Sequence, residues 1–271
     1  MICFPNAKIN IGLNVLRKRS DNFHDIETCL LAVPFYDVLE IKQANKFSID
    51  VFGEKFEGSM EDNLVYKVWK KLNVNNNIPP FEIKLLKNIP VGAGLGGGSS
   101  DAAFFLKVIN SQYKLGLNLI QMEVFLSEIG SDCPFFVKNE MAIASSKGDV
   151  LKPFNPGLND VFISIVVPKQ RVSTANAYSK VIVKQPDTPL EKLLSLPLDK
   201  WKDYIDNAFE SYVSARLPIV SKIKSELYNA GASFVSMSGS GSAMYSFSSK
   251  ELNLISLEKQ NIVWKSKLNF K

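Results

Sequence analysis

A glycine-rich segment in the middle of the chain constrains the fold most strongly. Residues 90–100 read Pro-Val-Gly-Ala-Gly-Leu-Gly-Gly-Gly-Ser-Ser, and five of the 15 glycines lie between positions 92 and 98. The segment runs directly into a helix-forming stretch. Glycine lets several backbone N–H groups converge on one anion, and the following helix adds its unpaired N–H groups and positive dipole end. The pattern predicts a loop that binds nucleoside triphosphate, with Ser99 and Ser100 at the helix N-cap.

Three other kinds of glycine-rich segment fit this sequence less well. A flexible Gly/Ser linker would not be followed at once by an apolar, periodic helix. A Walker P-loop needs a lysine followed by serine or threonine after its last glycine, and this chain has none there. Residues 92–97 match G-x-G-x-x-G, but 117–129 has helical spacing where a dinucleotide fold needs a strand that ends in an acidic residue.

Length, charge and cysteine content are typical of a globular protein without disulfides or a nucleic-acid-binding surface. The 271 residues suit one large or two modest domains, and the net charge of +5 is mild, with scattered lysines. Three cysteines and one histidine argue against a disulfide framework or a structural zinc site. The N-terminus lacks a signal sequence, and the longest apolar run is too short to cross a bilayer. We expect small-molecule substrates, no nucleic acid, no membrane, no protein-held metal, a monomer or weak homodimer, and a cytoplasmic location.

Hydrophobic periodicity predicts an α+β fold, because strands and helices do not alternate strictly. The predicted strands are 7–16, 28–33, 38–43, 47–52, 81–87, 161–167, 234–238 and 243–248. The predicted helices are 62–72, 100–113, 118–129, 174–182, 188–195, 200–213 and 218–230. A change in composition at 152–157 indicates a boundary between an N-terminal domain, 1–153, and a C-terminal domain, 154–271.

Polar residues on the first strand and after the third helix are candidates for chemistry. Lys8 and Asn10 share the polar face of a half-buried strand, which a solvated face explains equally well. Asp132 follows a helix that Gly130 could end and precedes an aromatic strand. A turn aspartate usually caps its own backbone, but beside a triphosphate it could accept the proton of an attacking hydroxyl.

Two further features have alternative explanations. His24, the only histidine, is either a surface imidazole or a group that binds a polar ligand beside Phe23. The second glycine-rich run, Ser238–Ser242, is either a hairpin loop or a second backbone site for anionic oxygens.

The motifs taken together resemble the GHMP kinase superfamily over essentially the whole chain. Within it they look like the kinases that phosphorylate the cytidine-diphosphate-linked methylerythritol of the non-mevalonate isoprenoid pathway. The resemblance rests on 5–10, 22–24, 61–64, 90–100, 130–136 and 238–241. It implies a two-lobed fold, with an N-terminal lobe like domain 2 of ribosomal protein S5 and a C-terminal α/β sandwich. It also implies ATP as phosphoryl donor, with Mg²⁺ carried by the nucleotide.

The resemblance implies a role for each matching residue. Asp132 would be the base that takes the proton of the substrate hydroxyl, and Lys8 would bond to this pair and adjust its reactivity. Asn63 and Lys87 would line the nucleoside end of the ATP pocket. The ATP phosphates would be bound by Pro90, Val91, Gly92, Ala93, Gly94, Leu95, Gly96, Gly97, Gly98, Ser99 and Ser100. The methylerythritol substrate would contact Asn10, Phe23, His24, Ser173, Thr174 and Tyr178. Phe23 stands where many members have tyrosine, so a hydroxyl contact is lost.

Three other functions remain open from the sequence. One is a related kinase that acts on homoserine or mevalonate, which turnover of each alcohol would separate. Another is a nucleotide-dependent dehydrogenase, which tight nicotinamide binding would support. The third is an RNA-binding module, which a steep salt dependence would support.

Overall fold

The structure, a computed structural model, describes residues 1–54 and 58–268. Its strands in these ranges are β1 (Ile2–Cys3), β2 (Asn6–Lys18), β3 (His24–Tyr36), β4 (Val38–Gln43), β5 (Ser48–Gly53), β6 (Phe81–Lys87), β7 (Ala142–Ser145), β8 (Val150–Pro153), β9 (Val161–Pro168), β10 (Phe234–Met237), β11 (Met244–Ser248) and β12 (Asn261–Leu268). Its helices are α1 (Leu64–Asn76), α2 (Gly97–Gln112), α3 (Leu119–Ser127), α4 (Phe135–Lys138), α5 (Thr174–Lys180), α6 (Leu190–Leu194), α7 (Trp201–Tyr204), α8 (Glu210–Arg216), α9 (Pro218–Asn229) and α10 (Ile255–Glu258). The predicted α+β class is confirmed.

The chain forms two compact units, and each of them is discontinuous in sequence. Unit 1 comprises Met1–Lys8, Pro34–Val91 and Gly96–Glu140, and unit 2 comprises Ile9–Val33, Gly92–Leu95 and Met141–Lys271. The chain passes between the units within β2, within β3, at both ends of 92–95 and at 140/141. These units therefore differ from a single division of the chain at 153/154, and that N- and C-terminal division stays a prediction.

Unit 1 contains one sheet and the helices α1 to α4. The sheet has the order β1-β4-β6-β5, in which β4 is antiparallel to both neighbours and β5 is parallel to β6. Phe81, Ile83 and Leu85 alternate along β6 and are buried, so this strand presents one apolar face to the core. Helix α1 begins where the Asn63 side chain accepts a hydrogen bond from the backbone of Val65.

Unit 2 contains two sheets, with the orders β2-β3-β7-β8 and β10-β11-β9-β12. Strand β9 pairs antiparallel with β11 on one side and β12 on the other. Its sequence, apolar except for Ser164, is buried from Ile163 to Pro168. Helix α9 begins with Pro218 in its first turn. It buries Val220, Ile223 and Leu227 in a core shared with residues of β2, β9, β10 and β11.

Three predicted elements differ in the structure. Strand β2 is buried on both faces as far as Leu13, rather than half-buried, because neighbouring layers cover its polar side as well. The segment after Asp132 is the short helix α4 rather than an aromatic strand, since Pro134 has helical angles and serves as its N-cap. The predicted helix 200–213 is interrupted at 205–209, where the Asn207 side chain binds backbone groups.

The described residues also include elements absent from the sequence prediction. Strands β7, β8 and β12 were missed because they are short or carry mixed polar residues. No helix in the described ranges has the length and apolar character needed to span a membrane.

The three cysteines are all free thiols. Cys133 in unit 1 and Cys29 in unit 2 are fully buried, and burial raises the pKa of each thiol, that of Cys133 to about 12. Cys3 is half-buried, and burial raises its pKa to about 11. These thiols are therefore protonated at neutral pH.

Candidate functional site

Lys8 and Asp132 meet in unit 1 although 124 positions separate them in sequence. Lys8 Nζ lies 3.2 Å from Asp132 Oδ2, and the Lys8 side chain is 3% exposed whereas that of Asp132 is 39% exposed. A buried ammonium that bonds to a carboxylate holds that carboxylate in one orientation. The other side of Asp132 remains accessible to a ligand.

The end of the glycine loop packs against this pair. Gly96 has a φ of +71°, and a methyl group at this position would lie 2.9 Å from Lys8 Cγ, 3.0 Å from Lys8 Cε and 3.1 Å from Phe136 Cζ. Only glycine satisfies both the left-handed backbone and the close approach of the lysine stem. The structure therefore places the Lys8 side chain directly beside the start of α2.

The turn that carries Asp132 also contacts the first turn of α2. The Ser99 side chain interacts with the thiol of Cys133, the residue that follows Asp132. A methyl group on Gly130 would lie 3.1 Å from Cys133 Sγ and 3.9 Å from Ser99 Oγ. Asp132, Lys8 and the N-terminus of α2 thus form one continuous group of residues in unit 1.

The start of α2 differs from the predicted cap. Its N-cap is Gly96, with no side-chain hydrogen bond, so Ser99 and Ser100 lie inside the first turn. Ser100 is fully buried, and its hydroxyl has no hydrogen-bond partner among the described residues. A methyl group on Gly98 would meet nothing within 4 Å. A side chain at Gly98 would therefore point into open space, next to the first N–H groups of α2, which have no acceptor within the helix.

The part of the glycine loop that belongs to unit 2 packs on the second glycine-rich run. Gly94 has a φ of +83°, and a methyl group there would lie 2.0 Å from the carbonyl oxygen of Ser238. Ser238 Oγ donates to the Gly94 carbonyl at 2.9 Å, and the Ala243 N–H donates to the Ala93 carbonyl at 3.1 Å. The second run thus fixes the backbone of 93–94, and its binding of substrate oxygens stays a prediction.

Asn10 belongs to the same group of residues in unit 2. Its backbone N–H donates to Ser238 Oγ at 3.2 Å, and its side-chain amide donates to Thr28 Oγ1 at 3.2 Å. Thr28 in turn donates to the Gly12 carbonyl at 2.5 Å. Asn10 is 3% exposed, so these bonds fix the orientation of a buried amide.

The aromatic residues predicted to bind a base lie in unit 2. The rings of His24 and Tyr178 have centroids 5.1 Å apart and are tilted by 31°, and Tyr178 packs edge-on against Phe209 at 4.7 Å. Burial, with the positive charge of Lys18, lowers the pKa of His24, so its imidazole is neutral at pH 7. Phe23 is 51% exposed, with the ammonium of Lys147 5.6 Å from its ring centroid.

Ser173 and Thr174 stand at the start of α5. Ser173 is the N-cap and makes no side-chain cap bond, and both residues are exposed. Thr174 Oγ1 lies 2.9 Å from Ser240 Oγ, in the second glycine-rich run. The structure thereby brings Thr174 to the glycine run that also contacts Asn10 and Gly94.

Asn63 and Lys87, both in unit 1, make structural bonds with their side chains. Asn63 caps α1 and is 8% exposed. Lys87 is 5% exposed, and its ammonium donates to Asp37 and, at 2.7 Å, to Asp101 Oδ2. The nucleoside contacts that the resemblance implies for these two residues stay predictions.

Sequence reasoning missed Asp37, Asp101 and Asn207. Asp37 and Asp101 share the ammonium of Lys87, and both are buried. Asn207 Nδ2 donates to the carbonyls of Met237 and Gly239, each at 2.8 Å. A signal was present for Asp101, which directly follows the two serines at the end of the glycine loop.

The arrangement has the parts that phosphoryl transfer requires. Unit 1 provides an accessible carboxylate paired with a lysine and the N-terminus of α2, where negative charge is stabilised. In the part of the chain that the structure describes, no group of three or more His, Cys, Asp or Glu residues could hold a metal ion.

Comparison with known proteins agrees with this geometry. The family model described as GHMP kinases N terminal domain matches residues 63–140, and that described as GHMP kinases C terminal matches 190–258. A protein of Parabacteroides distasonis named 4-diphosphocytidyl-2-C-methyl-D-erythritol kinase is 42% identical over 99% of this chain and 100% of that protein.

Solved structures of GHMP kinases have a similar fold. A crystal structure titled 4-(cytidine 5'-diphospho)-2C-methyl-D-erythritol kinase superposes with a TM-score of 0.81 at 27% identity, covering 100% of both chains. Homoserine kinase from Cytophaga hutchinsonii has a TM-score of 0.67 at 17% identity, covering 97% of this chain and 95% of that one, and at this identity it shows the fold alone.

Proposed function

Because the chain belongs to the 4-diphosphocytidyl-2-C-methyl-D-erythritol kinase family of the GHMP kinases, we propose that it carries out that reaction. ATP phosphorylates the 2-hydroxyl of 4-(cytidine 5'-diphospho)-2-C-methyl-D-erythritol. The hydroxyl oxygen forms a bond to the γ-phosphorus, the bond to the bridging β–γ oxygen breaks, and ADP leaves. Transfer is direct and in line, with no phosphoenzyme.

The contact between Lys8 and Asp132 is the observation that carries this proposal. Asp132 accepts the proton of the attacking hydroxyl on its accessible side, while Lys8 holds the carboxylate in place, with its ammonium 3.2 Å from Asp132 Oδ2. The position of Gly96 against Lys8 supports this assignment, because a phosphate at the N-terminus of α2 would lie close to the pair.

MgATP is the phosphoryl donor, and its Mg²⁺ enters as part of the substrate. Residues 90–100 bind the phosphates through backbone N–H groups, and the exposed position of Gly98 supports this assignment. The hydroxyl of Ser99 or Ser100, together with water, would supply oxygen ligands to this Mg²⁺.

The cytidine substrate is recognised by residues of unit 2. A neutral His24 has one donor and one acceptor nitrogen, which suits the hydrogen-bonding edge of cytosine. Tyr178, held by Phe209, offers an aromatic face, and Phe23 offers an exposed one. Asn10 orients the substrate near the reacting hydroxyl. The three free thiols support a reducing, cytoplasmic location.

The test is turnover with a set of alcohols in an assay that couples ADP release to a chromophore. We expect turnover with the cytidine-diphosphate-linked methylerythritol and rates at least about 10³-fold lower with homoserine, mevalonate or uncharged methylerythritol, since these lack the groups that unit 2 would bind. Comparable kcat/KM for homoserine or mevalonate would refute the proposed substrate. Absence of ADP release with every alcohol would refute the kinase.

A further inference from the structure

Unit 1 contains a buried cluster of three charged residues that the proposed reaction does not use. The charge triad consists of Asp37, Lys87 and Asp101, which are 0%, 5% and 2% exposed. The ammonium of Lys87 donates to Asp37 Oδ2 and, at 2.7 Å, to Asp101 Oδ2. One ammonium therefore joins two carboxyl groups in the core.

The charge triad connects the two ends of the glycine loop. At the start of the loop, Asp37 Oδ1 accepts hydrogen bonds from the backbone N–H groups of Asn88 and Ile89, at 2.7 and 2.8 Å. At the end of the loop, Asp101 lies in the first turns of α2. Lys87 bonds to both aspartates, so it fixes the distance between the backbone that precedes the loop and the helix that follows it.

The glycine at position 97 shows how closely the loop fits the charge triad. A methyl group there would lie 3.0 Å from Lys87 Nζ and 3.0 Å from Ile89 Cγ2. Gly97 is helical rather than left-handed, so close approach, and not backbone angle, is what favours glycine here. The ammonium passes directly against the first residue of α2.

The charges of the triad argue for a geometric role. Burying ion pairs costs desolvation energy, and apolar residues of equal size often give equal or greater stability. The triad also carries no net positive charge that would attract an anion to the N-terminus of α2. Neither stability nor attraction of phosphate explains the triad, whereas fixed hydrogen bonds at both ends of a flexible loop do.

We infer that Asp37, Lys87 and Asp101 are positioning residues that hold the glycine loop in its phosphate-binding conformation by tying its start to its end. The inference rests on the proposed function for the identity of the ligand. It gives Lys87 a role through the loop backbone, which differs from the direct nucleotide contact that the resemblance implies.

Two substitutions of Asp101 test this role. D101N and D101L remove the same negative charge, but only the asparagine keeps an oxygen that accepts from Lys87. We expect D101L to weaken binding of a non-hydrolysable ATP analogue with Mg²⁺ by about tenfold or more, and D101N by less than about threefold. The measurement is isothermal titration calorimetry. Equal affinities of D101N and D101L would overturn the inference, because charge alone would then account for both.

A second measurement does not depend on the ligand. Hydrogen–deuterium exchange without nucleotide should be faster at 88–89 and 97–100 in D101L than in D101N. Unchanged exchange in D101L would also overturn the inference. If the wild-type protein binds no ATP analogue, the proposed function fails, and the exchange comparison still decides whether the charge triad fixes the loop.

Two further variants complete the design. K107M removes a half-buried lysine of α2 that donates to the Phe136 carbonyl at 3.2 Å and does not touch the loop ends. It should leave affinity and loop exchange unchanged, so equal effects in K107M and D101L would count against positioning. If D101L fails to fold, D37N replaces it, because one amide oxygen cannot accept from both the backbone and Lys87. D37N should reproduce the faster exchange, and wild-type exchange in D37N would refute the inference.

Discussion

Replacing Gly96 by alanine should damage both the fold and the candidate site. The left-handed backbone, with φ of +71°, costs alanine about 1–2 kcal/mol. The added methyl would lie 2.9 and 3.0 Å from Lys8 and 3.1 Å from Phe136, and overpacking of this kind costs about 1–3 kcal/mol. We therefore expect the free energy of unfolding to fall by about 2–5 kcal/mol in G96A. Because the clash displaces Lys8 from Asp132, kcat should fall by about tenfold or more.

Urea denaturation followed by circular dichroism measures the first effect, and two other glycines separate its parts. Gly116 has a φ of +72° with open space around it. The free energy of unfolding should therefore fall in G116A by only the backbone contribution, about 1–2 kcal/mol. Gly98 is helical and also has open space, so G98A should raise stability by about 0.5–1 kcal/mol.

The difference between G96A and G116A isolates the contact with Lys8. If the free energy of unfolding falls no further in G96A than in G116A, Gly96 does not approach Lys8 as closely as described. If G96A is destabilised but keeps wild-type kcat at a temperature where it is folded, Lys8 does not need its observed position for catalysis.

Three further predictions concern single side chains. D132N should lower kcat by about 10²–10⁴-fold in the ADP assay because the base is lost, and wild-type kcat would exclude Asp132 as the base. Burial raises the pKa of Asp101 to about 7, so the folded state keeps a proton that the unfolded chain releases near 3.8. Stability should therefore fall as pH rises from about 4 to about 7. Denaturation at pH 5 and pH 7 should show a shallower fall in D101N, and identical slopes would contradict the shift. N207A leaves the carbonyls of Met237 and Gly239 without their donor and should cost about 2–3 kcal/mol on urea unfolding, whereas a loss within error would contradict the bonds.

The sequence predicted the features that repeat or concentrate along the chain. The density of glycine at 92–98 and the apolar periodicity after it predicted the loop and α2, and alternation predicted β2. Periodicity could not show that a second layer covers the polar face of β2. It also misjudged 135–138, because two adjacent phenylalanines suit a strand as well as one turn of a helix.

Only part of the candidate site could be predicted, because its residues are distant from one another in sequence. Local patterns made Lys8 and Asp132 separate candidates. Only the resemblance paired them, since no local pattern joins residues so distant in sequence, and the structure brings their side chains together. The charge triad escaped prediction because nothing in a sequence tells a buried aspartate such as Asp37 from an exposed one. Packing between β4, β6 and α2, not local propensity, decides that pairing.

The two buried cysteines provide a way to follow each unit separately. Cys133 in unit 1 and Cys29 in unit 2 are both inaccessible, and their raised pKa values suppress the thiolate that reacts with alkylating reagents. Labelling of either thiol therefore requires its unit to open. Mass spectrometry after timed alkylation would give an opening rate for each unit without any engineered probe, and nucleotide or substrate could be added in turn to see which unit it protects.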